Sequence, residues 1–180
     1  AKINERGETF VVANGDILTD LDVAKLVAFH HSAKAEGTIH LTPVADPSQY
    51  GVVETDATGK VIRFVEKPKT GETMSRHVNG GTYIFETSAL ERMPGTAPLS
   101  IERETFPEMV RAGVLYAFAT DDYWIDAGRP DTYVRSNVDL LSRKSIYKVT
   151  PIDASAKVDA TAVITQSAIG ANCVVGENVQ

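Results

Sequence analysis

From Val149 onward a single spacing governs the chain. Ile152, Val158 and Ile164 stand six residues apart, Ile169 follows after five, and Val175 after six more. Three places after each comes a small or amide residue: Ser155, Thr161, Ser167, Asn172 and Asn178. One strand followed by a turn would explain any one of these units. Five in phase call for a chain that turns a corner every sixth residue and lays each short strand on an earlier one. The pattern predicts a parallel β-helix of six-residue repeats, beginning near residue 148 and running to residue 180. An apolar edge without a polar cap at Gln180 leads us to expect that the coil continues beyond it.

Residues 1–147 read differently. Thr9 to Ala13 is a short β-branched, apolar run ending in the turn Asn14-Gly15-Asp16, as expected of a buried strand. Leu21, Ala24, Leu26, Val27 and His30 then recur at helical steps until Gly37, where a glycine suits a helix end. Thr38 to Val44 reads as a strand. Tyr50 to Thr55 and Val61 to Val65 read as a hairpin across Asp56-Ala57-Thr58-Gly59. Thr82 to Phe85, Val114 to Ala119 and Tyr123 to Asp126 complete the strands. Ser100 to Ala112 reads as a helix interrupted at Pro107, and Pro130 opens another that runs to about Arg143. Strands alternating with helices predict an α/β layered domain over residues 1–147 with a mostly parallel sheet. Ligands are expected at the carboxyl ends of its strands.

Composition narrows the partners. A formal charge of -6 argues against a nucleic-acid surface, which needs a basic face. No apolar run approaches the roughly 20 residues that cross a bilayer, and Ala1 to Gly7 has no apolar stretch of a signal peptide. The single cysteine, Cys173, excludes an internal disulfide and fits a cytoplasmic location.

Chemistry-bearing residues gather at strand ends. Asp16 and Asp126 each close a strand beside a glycine. Two such carboxylates can converge on one Mg²⁺, which takes few protein carboxylates and completes its shell with phosphate oxygens and water. Taken singly, such an aspartate is more often a turn or capping residue than a metal ligand. Glu66 and Lys67, followed by Pro68, offer a hydroxyl acceptor and a cation for phosphate, or a solvated ion pair of little energetic weight. Gly51 allows close backbone approach by a ligand. Asn79 precedes Gly80-Gly81 and could present its amide to hydroxyl groups, or simply belong to a turn.

The segments Phe10-Val11-Val12-Ala13-Asn14-Gly15-Asp16, Tyr50-Gly51-Val52-Val53, Phe64-Val65-Glu66-Lys67-Pro68, Asn79-Gly80-Gly81-Thr82-Tyr83-Ile84-Phe85, Ser100-Ile101-Glu102-Arg103-Glu104 and Tyr123-Trp124-Ile125-Asp126-Ala127-Gly128 together resemble the nucleotide-sugar pyrophosphorylases. The similarity is greatest to mannose-1-phosphate guanylyltransferases and covers nearly the whole chain in the family's order. It implies a Rossmann-like nucleotidyltransferase domain followed by a left-handed β-helix, through which homo-oligomers can form. It also implies that an oxygen of a sugar 1-phosphate attacks the α-phosphorus of a nucleoside triphosphate, releasing pyrophosphate. In such a family Asp16 and Asp126 correspond to the Mg²⁺ ligands. Gly51, Glu66 and Asn79 correspond to sugar-holding positions, Lys67 to the lysine that meets the sugar phosphate, and Trp124 to a substrate neighbour.

The family's glycine-rich loop, which ends in an arginine and wraps the triphosphate, has no counterpart before Asn14. The chain is therefore expected to be a part of a longer enzyme, inactive alone. Thymidylyl or uridylyl transfer to glucose 1-phosphate is the nearest alternative reaction, and a non-catalytic regulatory paralogue is a second. Asp16, Asp126, Glu66 and Lys67 are all present, which speaks against the paralogue. A β-helix acyltransferase would need a general-base histidine on the coil, and none follows Tyr147.

Overall fold

The computed structural model describes residues 8–69, 71–93, 99–142, 144, 146–147 and 149–180. Ala1 to Gly7 and Arg143, named above, lie outside them. Two compact units divide the chain. One comprises Leu21–Asp122 with the segment up to Gly15, and the other Asp16–Asp20 with Tyr123–Gln180. The 147/148 boundary expected from sequence thus falls within the second unit.

In the first unit a six-stranded sheet contains β1 (Thr9–Ala13), β3 (Gly37–Pro43), β4 (Gly51–Thr55), β5 (Val61–Glu66), β6 (His77–Glu86) and β7 (Leu115–Ala119). Their order is β5-β4-β6-β3-β7, with β1 also on β6. Only β3 and β7 run parallel; β1–β6, β3–β6, β4–β6 and β4–β5 are antiparallel. The mostly parallel sheet expected from sequence is therefore corrected to a mixed one. Parallel neighbours need a crossover, usually helical, and among the described residues no helix separates β3, β4, β5 and β6.

Helix α1 (Val23–Ala33) begins at Asp22, whose carboxylate accepts the Lys25 N–H. It ends at Lys34 in the left-handed conformation (φ 50°), three residues before Gly37. Gly37 has another task. A Cβ there would lie 2.6 Å from Met109 Cε and 3.0 Å from Phe85 Cε1, so its missing side chain admits the core. The β4–β5 hairpin turns where Asp56 Oδ1 accepts the N–H groups of Thr58 and Lys60, with Gly59 at φ 83°. The helical stretch predicted over 100–112 is two elements: a π-helical turn, Ile101–Thr105, then α2 (Phe106–Ala112) with Pro107 in its first turn. Phe85, Phe106, Met109 and Leu115 form the fully enclosed centre of the main core.

In the second unit β2 (Ile17–Thr19) pairs antiparallel with β8 (Trp124–Asp126), and α3 (Pro130–Leu141) follows. Buried Asp139 on α3 takes Lys144 Nζ at 2.8 Å and the Tyr123 hydroxyl at 3.1 Å. Beyond α3, β9 (Lys157–Val158) and β10 (Val174–Val175) pair in parallel, and Ile152 forms a parallel bridge to Ile169. Two corners repeat one device. Asp153 holds the hydroxyl and N–H of Ser155, and Ser155 Oγ accepts the N–H of Asn172, 17 residues on. Asp159, Thr161 and Asn178 do the same at the same separation. Asn172 and Asn178 both adopt positive φ (59° and 57°), a conformation asparagine tolerates well.

Candidate active site

The first unit brings Gly51, Glu66, Lys67 and Asn79 into one neighbourhood at the ends of β4, β5 and β6. Hairpin register places Gly51 directly opposite Glu66, and the Lys67 N–H donates to the Tyr50 carbonyl at 3.0 Å. A Cβ on Gly51 would lie 2.6 Å from Phe64 Cζ and 3.1 Å from Glu66 Oε2. Any side chain at position 51 would therefore press on the glutamate. Glu66 Oε2 is buried and, among the described residues, has no hydrogen-bond partner. Burial, and then the nearby Glu102 carboxylate, push the Glu66 pKa upward, while Lys67 and Arg103 pull the other way. Lys67 itself is held at φ 51°. A left-handed lysine is a sparsely populated state that costs of order 1–3 kcal/mol and tends to cluster at functional positions.

Asn79 is buried on β6, and its amide is committed within the protein. Nδ2 donates to Glu102 Oε1 at 2.7 Å and to the Tyr83 hydroxyl at 2.9 Å, while Oδ1 accepts the Gly81 N–H at 3.0 Å. Glu102 is the residue sequence reasoning did not assign. It stands on the π-helical turn, an element often found at functional sites, and faces both Asn79 and Glu66. The one available signal was its place in the Ser100–Glu104 motif.

The second unit joins Asp16 and Asp126. The β2–β8 ribbon pairs Ile17 with Asp126, and the Ala127 N–H donates to the Asp16 carbonyl at 2.8 Å. Asp126 Oδ1 accepts the Gly128 N–H at 2.8 Å. A Cβ on Gly128 would lie 3.0 Å from Asp126 Oδ1 and 3.1 Å from Asp16 Oδ2. Two carboxylates from distant parts of the sequence thus face one side-chain-free space. An oxygen-only donor pair fits a hard cation such as Mg²⁺, which completes its shell with water and phosphate oxygens. Trp124, two residues before Asp126 on β8, falls on the same face of that strand as Asp126 by strand alternation and is half-buried.

Residues 1–143 match the family model described as nucleotidyl transferase. Mannose-1-phosphate guanylyltransferase 1 of Arabidopsis thaliana is 37% identical over 180 residues, covering 96% of this chain and 48% of the relative. The mannose-1-phosphate guanyltransferase of Schizosaccharomyces pombe is 40% identical over 168 residues, covering 91% of this chain and 46% of the relative. The chain spans about half the length of these curated relatives. Among solved structures, HddC from Yersinia pseudotuberculosis complexed with GMP-PN superposes with a TM-score of 0.56 at 31% identity, covering 71% of this chain and 53% of that one.

Proposed function

The chain belongs to the nucleotidyl transferase family, and on that premise we propose that it carries sugar-phosphate-binding and metal-binding residues of a sugar-1-phosphate nucleotidyltransferase. Its substrates are mannose 1-phosphate and GTP, and its products GDP-mannose and pyrophosphate. The observation that carries this reading is Glu66 Oε2 opposite Gly51, buried and without a hydrogen-bond partner among the described residues. A buried acceptor without a donor is costly, and a sugar hydroxyl donating to it offsets that cost. Gly51, where any side chain would meet Phe64 and Glu66, keeps the carboxylate unobstructed, and Asn79, fixed by Glu102 and Tyr83, forms a further wall. Lys67, set in its strained backbone, offers a compact charge to the sugar phosphate.

Asp16 and Asp126 would hold Mg²⁺. When bound, the ion supplies charge neutralisation for phosphate oxygens. Trp124 flanks Asp126 and contacts substrate. An oxygen of the sugar 1-phosphate attacks the α-phosphorus of the triphosphate in line, the bond to the bridging oxygen breaks, and pyrophosphate departs with those electrons. The residues of the chain contribute orientation and charge, with no covalent enzyme intermediate.

The relatives named for mannose-1-phosphate guanylyl transfer and the neighbour solved with GMP-PN support mannose and guanine. The ladder at 17-residue separation supports reading residues 148–180 as the start of a left-handed parallel β-helix, a surface for homo-oligomers. Exposed, unpaired Cys173 supports a reducing, cytoplasmic setting. The test is pyrophosphate release by the complete protein with four triphosphates, each with mannose 1-phosphate and glucose 1-phosphate, with and without Mg²⁺. GTP with mannose 1-phosphate should be fastest and Mg²⁺-dependent. Preference for dTTP or UTP with glucose 1-phosphate would replace the substrates, and no release with any pair would overturn the reaction.

A further inference from the structure

The last turn of α1 and the end of β6 bring three more donor side chains together. Fully buried His30 places Nε2 3.0 Å from Glu86 Oε1 and Nδ1 2.8 Å from Thr38 Oγ1. His31, exposed at the next position, sets its ring 5.5 Å from that of His30, edge-on at 71°. One donor atom from each of His30, His31 and Glu86 lies within 4.8 Å of the other two. We propose that His30, His31 and Glu86 form a binding site for a divalent transition-metal ion of the zinc class, distinct in residues and donor chemistry from the Asp16–Asp126 pair.

Geometry and chemistry both support the assignment. With metal–nitrogen bonds of about 2.0–2.1 Å, two imidazoles on one tetrahedral ion place their ring centres about 5 Å apart and neighbouring donor atoms about 3.3 Å apart. The observed ring separation of 5.5 Å and the His30–Glu86 separation of 3.0 Å are close to both values. An ion held by Nε2 and Oε1 replaces their direct hydrogen bond, and exposed His31 supplies the third donor. Outer partners are already in place: Thr38 engages Nδ1 of His30, leaving Nε2 to face the ion, and the Thr9 hydroxyl donates to Glu86 Oε1 at 2.8 Å. Such supporting bonds orient ligands and tune the affinity of metal sites.

The position also favours a cation. Both histidines lie in the last turn of α1, where the helix dipole is negative. Imidazole with carboxylate suits zinc-class ions, whereas the oxygen-only Asp16–Asp126 pair suits magnesium. Three protein ligands leave a fourth position for water. The ion would tie α1 to β6 and, through the Thr9–Glu86 pairing, to β1.

Calorimetric titration of Zn²⁺ into the metal-free purified protein, with Mg²⁺ saturating, tests this. One saturable equivalent is expected, kept in Asp126→Asn and weakened at least tenfold in His31→Ala, a change at an exposed position. Co²⁺ in place of Zn²⁺ should give visible d–d absorption that His31→Ala removes. The proposal is overturned by an absence of saturable Zn²⁺ binding, by less than tenfold weakening in His31→Ala, or by loss of the equivalent in Asp126→Asn.

Discussion

Asn79 donates its side-chain amide to Glu102 Oε1 across 2.7 Å, linking β6 to the π-helical turn before α2. The same bond holds Glu102 near Glu66, whose carboxyl pKa is raised first by burial and then by that neighbouring carboxylate. Two acidic groups and one amide are thus arranged around the hairpin end that carries Gly51, with the strained Lys67 following Glu66.

Removing Glu102 should loosen that arrangement. Glu102→Ala is expected to lower kcat/KM for the sugar phosphate about 10- to 100-fold, equivalent to ~1.4–2.7 kcal/mol, chiefly through KM. Steady-state kinetics on the complete protein measures it; an unchanged KM would remove Glu102 from the site.

Glu66→Gln should separate stability from activity. The Glu66 carboxyl titrates above its ordinary value of 4.5 in the folded protein because burial, then Glu102, disfavour its charge. Its ionisation therefore costs stability as pH rises from about that ordinary value through the raised one. The glutamine variant should melt higher than wild type at pH 7, with the gap closing on acidification below that window, while sugar-phosphate turnover falls. A melting gap independent of pH would contradict the account.

Gly128→Ala should crowd the two aspartates without disturbing the fold. Its added Cβ would sit 3.0 and 3.1 Å from their oxygens, and residue 128 does not adopt positive φ. The Mg²⁺ concentration for half-maximal activity is expected to rise about tenfold, as for altered metal surroundings, with thermal unfolding nearly unchanged. Wild-type Mg²⁺ dependence would show that the missing side chain at position 128 has no bearing on the ion.

His40 offers a pH test away from the reaction. It lies at the β3 register shift beneath Gly80, with Nε2 2.9 Å from Thr120 Oγ1 and Nδ1 without a partner among the described residues. Burial lowers its pKa to about 4. A histidine depressed in the folded state stabilises the protein above pH 6.5 and loses that contribution as pH falls from 6.5 towards 4. Its ring proton resonance should stay in the neutral position down to about pH 4. Titration near 6.5 would mean that the ring is not enclosed.

Much of this architecture was legible in sequence because its signals are local. Asp56 and Gly59 announce the hairpin turn, Pro130 opens α3, and the sixfold spacing of aliphatics anticipates the parallel pairings of Ile152 with Ile169 and Val158 with Val175. The misreadings came from long-range packing. Gly37 looked like a helix stop, yet Lys34 takes the left-handed cap and Gly37 makes room for Met109 and Phe85. Strand direction was misjudged because direction depends on what joins the strands. Sequence named Asp16 and Asp126 as a pair for one ion from their strand-end positions, but not the short β2–β8 ribbon that sets both carboxylates beside Gly128. Glu102 went unassigned because its partner Asn79 is 23 residues away, at no helical or strand period.

On the proposed reading, Asp16 and Asp126 together serve nucleotidyl transfer. Pyrophosphate release by the complete protein carrying Asp126→Asn, with GTP, mannose 1-phosphate and Mg²⁺, tests it most directly. A loss on the order of 10³-fold, in a protein that melts like wild type, is expected for removing charge that positions phosphoryl groups. Turnover within a few-fold of wild type would contradict it.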